Sequence, residues 1–291
     1  MSIFKVQPKG DLSKFFSDPD ATDLLRFYVQ SPYRSEKKLD YFPTYANLLK
    51  EYRGQRCTLI EIGVKDGGSL FMWKEWLGER ARIIGIDINP AVKQFENDGF
   101  EIYIGDQADE DFLKKCFNEI GSYDILIDDG GHKLHQQLVT IQVALMFLNK
   151  KASILVEDTE VSFRKSFQQN QEKSFLDFAK DVSDLLTARE IFFLEDGDER
   201  KKEFPNTVNK KAIKFFSAVQ SVQFYPGIVN FQCDPFLKSF CKTTLNNTNT
   251  AVNIHDYRDK GISSVNVMWP YAFKREKKRI SFTEKTLPEK D

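Results

Sequence analysis

Residues 58–87 read "TLIEIGVKDGGSLFMWKEWLGERARIIGID", and the reading of this stretch decides the fold. "TLIEIG" (58–63) is a short apolar run, as expected of a buried strand. Gly63, Gly67 and Gly68 follow, then an amphipathic segment from Ser69, then a second apolar run at 82–87. Strand, glycine turn, helix and strand make a parallel crossover unit. Glycines at such a turn let the backbone approach a ligand closely, and helix-terminal N–H groups attract anions. The spacing is neither GxGxxG nor a phosphate loop ending in Gly-Lys-Ser/Thr. Taken alone, the turn suits a ligand role and a purely structural role equally.

Outward from this unit the pattern recurs. "FEIYIG" (100–105), "DILID" (124–128) and "ASILVED" (152–158) are further strands, separated by helical segments at 109–120 and 135–148. Near-continuous apolar strands between helices imply a parallel sheet covered on both faces, and right-handed crossovers make it doubly wound. At 216–233 two β-rich runs flank Tyr225-Pro226-Gly227, a turn signal for a hairpin that adds an antiparallel edge. Upstream, 20–30 and 41–52 have helical spacing around the polar loop "SPYRSEKKLD". Residues 159–215 are polar and helical. Three segments result: 1–56, helical and loop; 57–233, the α/β domain; and 234–291, a polar extension.

The chain has 291 residues, with 42 basic and 43 acidic side chains and a net charge of −1. No bulk field draws it to nucleic acid or an anionic membrane. No run suits a signal peptide or a membrane span. Cys57, Cys116, Cys233 and Cys241 are dispersed. The expectation is reduced thiols in a cytoplasmic protein, with no zinc site or disulfide framework.

Candidate chemistry gathers at the carboxyl ends of the strands, the edge where open α/β sheets bind ligands. Asp87 can accept both hydroxyls of a ribose, or it can cap a turn. Asp106 and Gln107 can meet an adenine edge, or they can serve the following helix, for which Asp109 is a candidate N-cap. Asp128, Asp129, Glu157 and Asp158 end neighbouring strands. Their mutual repulsion calls for protonation, basic partners or a cation. All-oxygen ligands suit a hard ion such as Mg²⁺, Mn²⁺ or Ca²⁺. His132 stands where the loop enters a helix, and His135 lies one turn on. His255 falls in the extension and receives no role.

"EIGVKDGGS", "GIDINP", "GDQADEDFL", "ILIDDGGH" and "ILVEDTE" fall in the order of a class I S-adenosylmethionine-dependent methyltransferase. More narrowly, the chain resembles the metal-dependent O-methyltransferases of macrolide-antibiotic sugars over about residues 35 to 233. That resemblance implies a Rossmann-like methyltransferase fold, S-adenosylmethionine as cofactor and a divalent metal such as Mg²⁺. It places cofactor binding on Glu61, Gly63, Gly67, Asp87, Asp106 and Gln107, with Asp128 a supporting or turn residue beside them. Metal ligands fall on Asp129, Glu157 and Asp158, and the general base on His132. Gly131 departs from the serine usual in these relatives. Residues 159–215 match weakly and 234–291 not at all, which leaves substrate identity open.

The expected activity is O-methylation of a hydroxyl on a saccharide or glycosylated small molecule, by a chain that can form a homo-oligomer. Two alternatives stand beside it. One is a metal-free N- or O-methyltransferase of an acidic or phosphorylated small molecule. The other is a non-catalytic nucleoside-binding or assembly subunit, suggested by the basic "KREKKR" cluster of the extension.

Overall fold

The computed structural model describes residues 10–168, 173–193, 199–203, 210–236, 272–276 and 279–283. The five apolar runs form parallel strands: β1 (Thr58–Ile62), β2 (Arg82–Asp87), β3 (Glu101–Ile104), β4 (Ile125–Asp128) and β5 (Ala152–Val156). Successive side chains on a strand point to opposite faces, so apolar runs must feed two cores. They do. Leu59, Ile83, Ile125, Ile127 and Leu155 enter one core, and Ile60, Ile84, Leu126, Ile154 and Val156 enter the other.

The first core is closed by α1 (Pro19–Gln30), α2 (Tyr41–Leu49) and α3 (Gly68–Leu77), which contribute Leu24, Leu25, Tyr45, Leu49 and Trp73. The second is closed by α4 (Glu110–Ile120), α5 (Leu134–Met146) and, beyond the short α6 (Lys165–Gln168), α7 (Phe175–Thr187). Each leucine buried this way contributes about 1.5–3 kcal/mol. Local signals set the helix ends. Asp18 accepts from the Asp20 N–H, with Pro19 at the first position of α1, and Asp109 accepts from the Asp111 and Phe112 N–H groups at α4.

After α8 (Lys210–Phe215), the hairpin of β6 (Val219–Tyr225) and β7 (Ile228–Cys233) completes the sheet. The order is β3-β2-β1-β4-β5-β7-β6, and β7 is antiparallel to both neighbours. The winding reverses between β1 and β4, which makes the carboxyl ends of those strands the ligand crevice of such a sheet. Strand β5 stops two residues short of the 152–158 reading. The Glu157 N–H still reaches the Asp128 carbonyl at 2.9 Å, but Asp158 turns left-handed with φ 53° and breaks the ladder.

Chain contacts group the protein into two units, Met1–Phe240 and Cys241–Asp291. In the second, read from sequence as polar extension, β8 (Ala272–Glu276) and β9 (Arg279–Thr283) form an antiparallel hairpin with Phe273 opposite Phe282. Aromatic and β-branched residues favour pairing even inside a charged run. Cys241 and His255 lie outside the described residues. Among the described residues, no helix is long and apolar enough to cross a membrane, and Cys57, Cys116 and Cys233 are buried free thiols.

Candidate active site

A cleft of about 500 Å³ opens at the reversal point, a volume typical of small-molecule sites. Gly63, Asp87, Asp106, Gln107, Asp129, His132 and Asp158 line it, drawn from the ends of β1 to β5. Glu61, Gly67, Asp128 and Glu157 do not line it; they lie behind its walls.

The wall from β1 to β3 is built by short-range bonds. Asp87 accepts the Lys65 N–H at 2.9 Å and the Asn89 N–H at 2.8 Å, which fixes both flanking turns around one carboxylate. Asp106 accepts the Ala108 N–H at 2.8 Å and is exposed. Gln107 is buried, and its amide is engaged within the protein. Its nitrogen donates to Asp128 Oδ1 and Thr140 Oγ1, and its oxygen accepts the Gly131 N–H at 3.0 Å. It thereby ties the β3 turn to the β4 turn. Asp128 points into the second core, where burial raises its carboxyl against the pull of Gln107 and the Gly130 N–H.

Glycine is required twice here. Gly63 has φ 93°, and a Cβ on it would lie 2.1 Å from the Asp129 carbonyl oxygen. Gly67 has φ 84° at the start of α3, and a Cβ there would strike the Phe95 ring at 2.2 Å.

Glu61 lies on the opposite face from Asp128, fully buried. Ser69 Oγ donates to it at 2.7 Å, and Trp73 Nε1 and Lys37 Nζ approach to 3.4 Å. Burial raises its carboxyl, opposed by Lys37 and Ser69.

On the acidic side, Asp129, His132 and Asp158 present donor atoms within 4.8 Å of one another. His132 Nε2 stands 3.9 Å from Asp129 Oδ1 and 3.6 Å from Asp158 Oδ2. Both His132 and Asp158 hold left-handed backbone, φ 56° and 53°. Such a conformation costs roughly 1–2 kcal/mol for a residue with a side chain, and strain of this kind gathers at functional sites. Glu157 is not in this group. Lys37 Nζ contacts both of its oxygens, at 3.0 and 2.9 Å, and the Tyr45 hydroxyl donates to it at 2.5 Å. His135 sits half-buried on α5, off the cleft.

Sequence reasoning missed the basic partners. Lys37 Nζ also bonds Asp129 Oδ2 at 2.7 Å. Lys38 Nζ bonds Asp158 Oδ1 at 2.7 Å and pairs with Glu160. The Tyr41 hydroxyl donates to the same Asp158 oxygen at 2.7 Å. All come from the polar loop at 31–40 and the start of α2. The one available signal was the surplus of strand-end acids, which called for cations without naming them.

Electrostatics follow the packing. Burial disfavours the Lys37 ammonium, but Asp129, Glu157 and Glu61 outweigh it and raise its pKa well above the ordinary lysine value. Burial raises the Glu157 carboxyl, and the Asp129 charge adds to that against Lys37 and Tyr45. For Asp158 burial is overcome by Lys38 and Tyr41, which hold it below the usual carboxylate value.

A doubly wound sheet with an antiparallel terminal hairpin and a crevice at its reversal point is the Rossmann-like methyltransferase fold. The chain superposes with a TM-score of 0.57 on the MycE methyltransferase of the mycinamycin biosynthetic pathway, solved with Mg, SAH and mycinamycin VI. That match is 22% identical and covers 78% of this chain and 54% of that one. In sequence, the chain is 26% identical over 198 residues to the 8-demethyl-8-alpha-L-rhamnosyl tetracenomycin-C 2'-O-methyltransferase of Streptomyces olivaceus, covering 65% of this chain and 48% of the relative. It is 37% identical over 101 residues to the mycinamicin VI 2''-O-methyltransferase of Micromonospora griseorubida, covering 32% of this chain and 24% of that one. The chain spans about half, or less, of the length of these relatives. No protein-family model matches it. The resemblance to sugar O-methyltransferases read from the motifs thus extends to named relatives.

Proposed function

We propose that the protein is an S-adenosylmethionine-dependent O-methyltransferase that uses a divalent cation, Mg²⁺ in the first instance, to methylate a hydroxyl of a saccharide or glycosylated small molecule. One observation carries this reading: a cleft sized for a nucleoside ligand runs into the Asp129, His132 and Asp158 cluster. The printed names of the relatives, 2'-O- and 2''-O-methyltransferases of a rhamnosyl tetracenomycin and of mycinamicin VI, agree with it.

The donor set fits a divalent ion. Asp129 and Asp158 each direct one oxygen toward His132 Nε2, while the other oxygen of each is held by a lysine. Two carboxylate oxygens beside open solvent suit a hard ion that keeps several waters. When bound, the ion would stabilise the negative charge that develops on an acceptor hydroxyl, and the cofactor's sulfonium would supply an activated methyl group. The chain's own contributions are distinct. Asp87, on the cleft wall, would take the ribose hydroxyls on its carboxylate. His132, which lines the cleft, would accept the hydroxyl proton through Nε2, an effect of order 10²–10⁴ in rate. The backbone near Gly63 brings the cofactor turn against the Asp129 turn, so donor and acceptor are held in one crevice.

The test is methyl transfer from labelled S-adenosylmethionine to a panel of nucleotide sugars and glycosides, before and after chelation. Activity lost to chelation and restored by Mg²⁺ is expected. A second reading, metal-free methylation of an acidic or phosphorylated small molecule, draws on the buried Lys37 ammonium, which already offsets part of the acidic charge. Undiminished turnover after chelation would select it. Supporting a cytoplasmic enzyme are the buried free thiols, and the near-zero net charge gives no ground for a nucleic-acid partner.

A further inference from the structure

The two glutamines beside Gly131 are used differently. The side-chain amide of Gln107 is engaged inside the protein, its nitrogen on Asp128 and Thr140 and its oxygen on the Gly131 N–H. Gln136, in the first turn of α5, is half-buried and lines the cleft. Its oxygen accepts the Lys133 N–H at 3.2 Å, and among the described residues its nitrogen bonds no other group. That bond settles which end of the amide is oxygen. The other end carries two N–H donors for a ligand in the cleft.

Gly131 keeps a place for this amide. Its backbone is not left-handed, so the turn itself does not require glycine. A Cβ there would instead lie 2.2 Å from Gln136 Oε1 and 2.5 Å from its Nε2. The amide rests in space that any larger residue at 131 would take.

Its neighbours point to the part of the cofactor it meets. Gln107 ties Gly131 to the turn that carries Asp106, so Gln136 and Asp106 share one end of the cleft. Ile88 lines the cleft next to Asp87 and is 66% exposed, an apolar surface suited to cover by an aromatic base. Asp106 accepts the Ala108 N–H on one oxygen, and the second can accept from a ligand. An adenine edge sets an amino donor beside a ring-nitrogen acceptor. A carboxylate oxygen beside an amide N–H is the complement of that edge.

We propose that Gln136 reads the adenine of S-adenosylmethionine, its Nε2 donating to the ring nitrogen, N1 or N7, beside the amino group that Asp106 accepts. This rests on the cofactor reading above and adds a residue that motif order did not assign.

The experiment is calorimetric binding of S-adenosylhomocysteine and of its 1-deaza and 7-deaza analogues to the full chain, with no acceptor or turnover needed. Gln136→Met is expected to weaken S-adenosylhomocysteine by about 3–10-fold, the loss of one hydrogen bond. One of the two analogues is expected to bind the unaltered protein more weakly by a similar factor, and to lose nothing further in Gln136→Met. Gly131→Ala, which displaces the amide without straining the backbone, is expected to reproduce the loss, and adding Gln136→Met to it to cost no more. Unchanged S-adenosylhomocysteine affinity in Gln136→Met would overturn the proposal, whatever happens to the KM of an acceptor. So would an undiminished further loss with both analogues, because the variant would then act on some other part of the ligand. In either case the cofactor reading stands. No binding of S-adenosylhomocysteine by the unaltered protein would remove the cofactor reading and this proposal together.

Discussion

The two walls of the cleft are wired differently. On the β1 to β3 side, Asp87 and Asp106 bond backbone groups two to 22 residues away. On the β4 to β5 side, Lys37 reaches Asp129 across 92 residues and Glu157 across 120, and Tyr41 reaches Asp158 across 117. The first wall is complete once a strand and its turn have formed. The second exists only when the amino-terminal loop has docked on the finished sheet. A local site can be read from a motif, whereas an assembled one has to be read from the fold.

Separate perturbation of the two walls tests this contrast. The largest effect is expected from His132→Ala, with turnover down about 10²–10⁴-fold and S-adenosylmethionine affinity by calorimetry unchanged. Equal loss of both would mean the walls are not separable. Gly63→Ala strikes both at once. It forces a side chain into left-handed backbone and against the Asp129 carbonyl, so urea unfolding should show a loss of about 2–4 kcal/mol. Asp87→Ala is expected to weaken S-adenosylmethionine binding by about 10–100-fold, the loss of hydrogen bonds to a charged group, while leaving Mn²⁺ affinity alone.

A separate effect falls on neither wall. Burial raises the thiols of Cys57 and Cys116 to about 11 and Cys233 to about 12, from 9.0. The folded state therefore keeps protons that the unfolded chain has released above pH 9. Raising the pH from 9 toward 11 should shift unfolding to lower urea, and native thiols should resist a disulfide reagent at pH 8 until the chain unfolds.

Much of the fold was legible because its signals are local. Apolar runs gave all five parallel strands, Tyr225-Pro226-Gly227 gave the hairpin, and Asp109 gave a helix start. Motif spacing also reached some of the residues that line the cleft, namely Gly63, Asp87, Asp106, Gln107, Asp129, His132 and Asp158, but not Arg34, Ser35 or Glu36. It could not tell which way a side chain points from a strand end. Glu61 and Asp128 end up on opposite faces of the sheet, both buried. Nor could it find Lys37 and Lys38, which lie in a charged loop without periodicity and acquire meaning only from acids a hundred residues on. Gln107 read as a ligand contact or a helix residue, yet it braces two turns, because its partners Asp128 and Thr140 come from other elements.

One run of five residues, 34–38, belongs to both walls. Arg34, Ser35 and Glu36 line the cleft, and Lys37 and Lys38 grip the acids. The Arg34 carbonyl also accepts the Gly68 N–H at the head of α3. Thermodynamic coupling through such a run is reciprocal. By whatever factor occupancy of the nucleoside side tightens the cation, the cation must tighten the nucleoside side equally. A factor above one would make the two ligands cooperative, although no atom of either need touch the other.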